Sequence, residues 1–256
     1  MKWVKTYESF LNESFVQRFD KANKMVDKVL STLKSKAAAI AAQLVKFEDD
    51  YIFSIDGVEF NVTIDPDRHD AASINYDTLD ITLGLAHYFR KPKYRYNLVE
   101  LAYNDGDFDK DYVKELQDLI ETMMKAPERI WSGEFVRAIN HEVHHLFDAT
   151  EYGDKYREAM NRQLDDFVKK FADENGKLPQ EKYHQLNAEI NTHLNTALNR
   201  VYNDYGDPTK HFDNLNDFIY FILNEIYPEE WTWLKMISKE DQKRVYDRIA
   251  KFWNEF

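Results

Sequence analysis

Two hydrophobic periods share this chain, and the place where one gives way to the other most restricts the fold. From about residue 15 to residue 47 apolar side chains recur every three or four positions, with Phe15, Phe19, Met25, Val26, Val29, Leu30 and Leu33 on one helical face. At Tyr51 the period drops to two. The runs YIFSI and VEFNVTI alternate around Asp56-Gly57, a dipeptide suited to a two-residue turn, so a β-hairpin is predicted. Further strands are expected over 73–85 and 94–102, and 104–107 is rich in turn residues. From Tyr112 the helical period returns and holds almost to the C-terminus. A small sheet followed by a mostly helical remainder is an α+β arrangement.

The stretch 135–148, FVRAINHEVHHLFD, carries the chemistry. Helical spacing follows Pro127, a residue suited to a first turn, and Phe135, Val136, Ile139, Val143, Leu146 and Phe147 project onto one arc. His141 and His145 occupy a neighbouring arc beside the small residues Ala138 and Ala149, and Glu142 falls between the two. Residues four apart on a helix stack about 6 Å from each other, so two imidazoles can address one metal ion. Glu142, one position round from His141, is placed to take a proton from a water that the metal activates. The apolar arc is expected to anchor the helix while the histidine arc looks into a cleft.

Composition narrows the choices. There is no cysteine, so disulfides and thiolate zinc sites are excluded and His, Asp and Glu remain as ligands. A formal charge of −12 and the absence of a basic, aromatic-interleaved stripe argue against nucleic acid as a partner. The Ala-rich run at 37–44 is too short to cross a bilayer, and no apolar leader precedes it, so a soluble protein without membrane contact is expected. With 43% hydrophobic residues over 256 positions, one catalytic domain over 48–256 with an N-terminal helical segment over 1–47 is the expected organisation.

A catalytic zinc ordinarily takes three protein ligands, so a third is sought downstream. An amphipathic helix over 154–171 presents Tyr156, Met160, Leu164, Phe167, Val168 and Phe171, and ends at Asn175-Gly176 and Pro179. The next, over about 180–202, buries Tyr183, Leu186, Ile190, Leu194, Ala197 and Val201, with Glu189 and His193 four apart along the stripe's border. A carboxylate at such a border is costly to bury unless paired or bound to a cation, which favours Glu189. His193, one turn on, competes as ligand or serves as a partner or oxyanion donor; Tyr152 and Tyr183 are other donor candidates. Glu151, six residues after His145, is a further competitor, though the Gly that such an offset needs three residues after the second His is Asp148 here. The rest of the chain is rich in large hydrophobes: Phe218, Phe221, Ile222, Ile226, Trp231 and Trp233. A last helix opens near Ser238, spaced from Asp241 as in a capping box, and carries Val245, Ile249, Phe252 and Trp253.

His141-Glu142-x-x-His145 with Glu189 on a later helix resembles a zincin metallopeptidase of the glutamate-third-ligand type. Asp148 resembles the Asp of small phage and bacterial peptidase-like proteins with HExxHxxD. The resemblance covers about residues 135–198 and implies zinc held by His141, His145 and Glu189, with Asp148 orienting a ligand imidazole. It implies peptide-bond hydrolysis with Glu142 as general base and a peptide or protein as substrate; His193, from its place one turn after Glu189, is expected as a second catalytic group. An exposed edge of the upstream sheet would present the peptide as an added strand.

The segment KTYESFLNE at 5–13 resembles the N-terminal capsid-targeting peptides of internal head proteins of T-even-like phages, which are cut after a Leu/Ile-x-Glu triplet. Leu11-Asn12-Glu13 supplies such a triplet. That likeness implies phage head components as partners and a location in the virion interior or the infected host's cytoplasm. It also supports a rival reading, a phage structural or interaction protein that keeps a zincin fold without turnover.

Overall fold

The computed structural model describes residues 14–65, 71–86, 110–126, 132–173, 179–183, 186–226 and 238–256. The predicted strand over 94–102, the turn at 104–107, Pro127, Trp231, Trp233 and the peptide at 5–13 lie outside them. The fold is α+β, a small four-stranded mixed sheet followed by a mostly helical region. The chain divides into two compact units, Asn23–Glu151 and Met1–Ala22 with Tyr152–Phe256.

The long N-terminal helical pattern resolves into α1 (Phe15–Ser35) and α2 (Ala37–Leu44), separated at Lys36, where φ −106° and ψ 10° interrupt the helix. The predicted hairpin then forms from β1 (Tyr51–Ile55) and β2 (Val58–Thr63), antiparallel with Ile55 opposite Val58. Asp56 and Gly57 take φ of 53° and 85°, the pair of positive values that lets a two-residue turn follow the twist of its strands. One face of the hairpin is apolar: Phe53 and Phe60 lie opposite each other with rings stacked 5.4 Å apart.

The stretch expected as one strand over 73–85 is instead a second hairpin, β3 (Ala72–Asn75) and β4 (Asp80–Gly84). Asn75 causes the break. Its Oδ1 accepts from the backbone N–H groups of Asp77 and Thr78 at 2.9 and 3.4 Å, and its carbonyl accepts from Leu79 at 2.8 Å. An asparagine that satisfies the backbone two residues on turns a strand into a loop. β4 pairs parallel with β2, which gives the order β1-β2-β4-β3. Ile81 and Leu83 extend the buried face started by Phe60 and Val62, all fully inaccessible to solvent. In the same unit α2 packs against α3 (Lys110–Lys125), burying Ile40, Ala41 and Leu44 with Leu116, Ile120, Met123 and Met124.

Helix α4 (Ser132–Phe171) carries both the His-Glu-x-x-His segment and the predicted helix over 154–171. The two runs meet at Gly153, whose φ of 54° and ψ of −145° are non-helical. Beyond it Tyr156, Met160, Leu164, Phe167, Val168 and Phe171 are half-buried, less enclosed than their spacing suggests. The single helix expected over 180–202 is two, α5 (Gln180–Tyr183) and α6 (Asn187–Tyr205). Leu186 separates them with ψ 138°, and the Asn187 N–H donates to Gln163 Oε1 at 3.1 Å. Tyr183 is consequently 40% exposed, not buried.

Around α6 the second unit builds its core. Ile190, Leu194, Ala197, Leu198 and Val201 pack with Phe15 and Phe19 of α1, Phe218 and Ile222 of α7 (Leu215–Asn224), and Val245, Ile249 and Phe252 of α8 (Lys239–Trp253). The predicted cap is present: Ser238 Oγ accepts from the Asp241 N–H at 3.0 Å. The Glu255 carboxylate accepts from the N–H groups of Phe15 and Val16, 2.9 and 3.3 Å away, so an anion sits at the positive end of α1.

Candidate metal centre

Four of the six positions that periodicity picks out anchor the first part of α4: Phe135, Ile139 and Val143 are fully buried and Leu146 nearly so, while Val136 and Phe147 are half-buried. The other face is not left open to a cleft. Glu142 is 9% exposed, His145 2%, Asp148 6% and His144 fully buried, while His141 is half-buried. A helix enclosed on nearly every side holds its polar groups where each needs a partner or a cation, since desolvating a charge alone costs several kcal/mol.

His141 and His145 converge. Their Nε2 atoms are 3.2 Å apart, with ring centroids 4.8 Å apart and planes crossed at 80°. At the usual zinc–nitrogen distance of about 2.05 Å, two donors so spaced subtend roughly 100° at a shared ion, close to tetrahedral. The same separation suits an N–H···N hydrogen bond between neutral imidazoles, so the pair has a stable arrangement with or without an ion.

Tyr76, in the loop between β3 and β4, meets His145 edge to face at 5.8 Å and 89°. That loop is costly to form. Leu79 sits at φ 61°, a left-handed conformation that costs a side chain with a Cβ on the order of 1 kcal/mol. Periodicity gave no hint of Tyr76, because a strand pattern drawn through 73–85 leaves no loop to carry it. The run Asn75-Tyr76-Asp77-Thr78 held a turn signal that would have exposed it.

On α6 the predicted border residue Glu189 is buried, with 3% exposure. Its Oε2 lies 4.0 Å from Nε2 of half-buried His193. The helix buries further polar groups on several sides: Asn191, Thr192, Asn195, Thr196 and Asn199. Thr196 Oγ1 donates to the Thr192 carbonyl at 2.8 Å, and Asn195 Oδ1 accepts from the Arg248 guanidinium at 2.7 Å. Such partners make the burial affordable.

His141, Glu189 and His193 form a group that can hold a metal ion, one donor atom of each lying within 4.8 Å of the others. Of the residues singled out from sequence, His141 and Glu189 belong to it as expected ligands and His193 as their expected neighbour. His145 stands outside this group of three while keeping its Nε2 beside that of His141. Glu151 is exposed, on a helix that runs straight past Asp148; six residues at about 100° each carry it some 240° round from His145, away from the imidazoles. Tyr183 is exposed, and Tyr152 packs against Tyr156 at 6.1 Å. Imidazole and carboxylate donors without sulfur suit zinc and other first-row divalent ions. No protein-family model matches the chain, and no curated protein or solved structure is detectably similar to it. Among the described residues no helix is long and apolar enough to cross a membrane.

Proposed function

We propose that this chain is a zinc-dependent hydrolase of peptide bonds, with His141, His145 and Glu189 as ligands and Glu142 as general base. The observation that carries the proposal is a buried Glu189 carboxylate grouped with His141 and His193. Burying a carboxylate beside imidazoles is favourable when a cation neutralises it. The 3.2 Å separation of the His141 and His145 Nε2 atoms supports a shared ion, at the angle worked out above. Zinc held there supplies a Lewis acid that polarises a carbonyl and brings the acidity of water near neutrality.

The protein's own groups do the rest. Glu142, next to His141 on α4 and 9% exposed, takes the proton of the attacking water on its carboxylate and returns it to the departing amine nitrogen. Its burial excludes bulk water, which would otherwise compete for that proton. His193, whose Nε2 lies 4.0 Å from the Glu189 carboxylate on the same helix, is assigned to the developing oxyanion as a donor. Asp148 is assigned to orient a ligand imidazole from the next turn of α4. The choice of a peptide as substrate rests on the His-Glu-x-x-His arrangement.

A second reading is favoured by one feature: His193 lies near enough to His141 and Glu189 to be a ligand itself. Four protein donors would close a zinc site and leave no place for water, as in structural sites. The chain would then be a structural or interaction protein.

Purified full-length protein answers both questions. One equivalent of zinc is expected, lost in His141→Ala, together with cleavage of casein or a quenched peptide library. Glu142→Gln is expected to keep the zinc and lose cleavage. X-ray absorption showing three protein donors and one water oxygen supports the hydrolase. Four protein donors with no cleavage supports the closed site, and absence of bound zinc overturns both.

A further inference from the structure

We infer that Tyr76 is a positioning residue for the metal centre, its ring fixing the plane in which the His145 imidazole can bind an ion; the inference rests on the proposed ligand role of His145. An imidazole on a helix keeps rotational freedom about two side-chain bonds, and a zinc ligand must hold one orientation. Among the described residues, the rings of His141 and Tyr76 lie against His145. His141 crosses it at 80° with its centroid 4.8 Å away, and Tyr76 crosses it at 89° with its centroid 5.8 Å away. The Tyr76 contact lies in the range where perpendicular aromatic rings attract through their quadrupoles.

The loop that delivers Tyr76 is built for fixity. Asn75 gathers the N–H groups of Asp77, Thr78 and Leu79, and β3 and β4 pair from Asn75 and Asp80 outward. β4 is itself clamped between β2 and β3. Tyr76 therefore sits, half-buried, at the tip of a braced hairpin, with its ring against the second histidine of the motif. Groups that orient a ligand from behind typically change metal affinity tenfold or more when removed.

The test compares wild type, Tyr76→Phe and Tyr76→Ala, each as the full chain. Zinc affinity is measured by competition with a chromophoric chelator, and the His145 ring protons of the metal-free proteins are followed by NMR, assigned through His145→Ala. Tyr76→Phe should keep the ring-current shift of those protons and bind zinc as wild type does. Tyr76→Ala should lose the shift and bind zinc about 10- to 100-fold more weakly. Tyr76→Leu replaces it if the alanine variant loses its helical circular dichroism. Wild-type affinity in Tyr76→Ala and Tyr76→Leu overturns the inference, as does a phenylalanine variant as weak as alanine, which would assign the effect to the hydroxyl. An unchanged His145 shift in Tyr76→Ala refutes the contact itself. A wild-type protein that shows the shift but takes no zinc sinks the metal reading, and the positioning role with it, while leaving the ring contact standing.

Discussion

Replacing Glu189 with Gln should move stability in opposite directions with and without zinc. Glu189 is 3% exposed, and its carboxylate lies 4.0 Å from the His193 ring. Without an ion, a neutral amide of the same shape escapes the desolvation that a carboxylate suffers there, so the metal-free variant should be as stable as wild type or more stable by about 1 kcal/mol. With zinc at a hundred times its dissociation constant, wild type gains about 2.7 kcal/mol. For a chain of this size that is roughly 5–11 °C in melting temperature. Losing one of three ligands, at a penalty on the order of 4 kcal/mol, weakens affinity about a thousandfold. The same zinc concentration then stands at about a tenth of the new dissociation constant and stabilises by less than about 0.1 kcal/mol. Scanning calorimetry in EDTA and in excess zinc measures all four states. An equal zinc-induced rise in wild type and variant would remove Glu189 from the ligand set. A metal-free variant that melts far below wild type would show that protein partners, not an ion, keep the carboxylate buried.

Other consequences of the fold can be measured directly. Gly153→Ala forces a side chain onto φ 54° and ψ −145° with no steric neighbour within 4 Å, so the loss, about 1–3 kcal/mol by urea denaturation, should come from backbone strain alone. Phe252→Ala should cost about 3–5 kcal/mol in the same assay, because the fully buried ring lies 5.8, 5.8 and 6.0 Å from those of Phe15, Phe19 and Phe218. The Tyr202 hydroxyl is pushed above its usual range, first by burial and then by Asp20, whose carboxylate accepts from it at 3.2 Å. A raised folded value means a contribution complete below pH 10 and lost as pH climbs through that value; alkaline unfolding monitored by circular dichroism should be shallower in Tyr202→Phe.

Local rules settled much of this protein before any coordinates. The Asp56-Gly57 turn, the change of period at Tyr51, the buried arc of Phe135, Ile139, Val143 and Leu146, and the Ser238 cap each depend on residues within a few positions of one another. Such interactions are written in sequence spacing. The fold departs from that spacing at two places. Asn75 folds a predicted strand into a hairpin, because the hydrogen bonds of its side chain outweigh a weak periodicity across ten residues, and at Leu186 the backbone turns extended, ψ 138°, and splits a predicted helix. The pairing of His141 with His145 was likewise fixed by a four-residue offset on one helix. Which residue joins them is a different kind of question. Glu189 and His193 lie tens of residues from the motif in the chain, so no spacing rule could rank them against Glu151. Only tertiary packing decided that Glu151 is exposed while Glu189 is enclosed, and only it brought Tyr76 to His145, since contacts distant in sequence depend on how the chain packs, which local propensity does not encode.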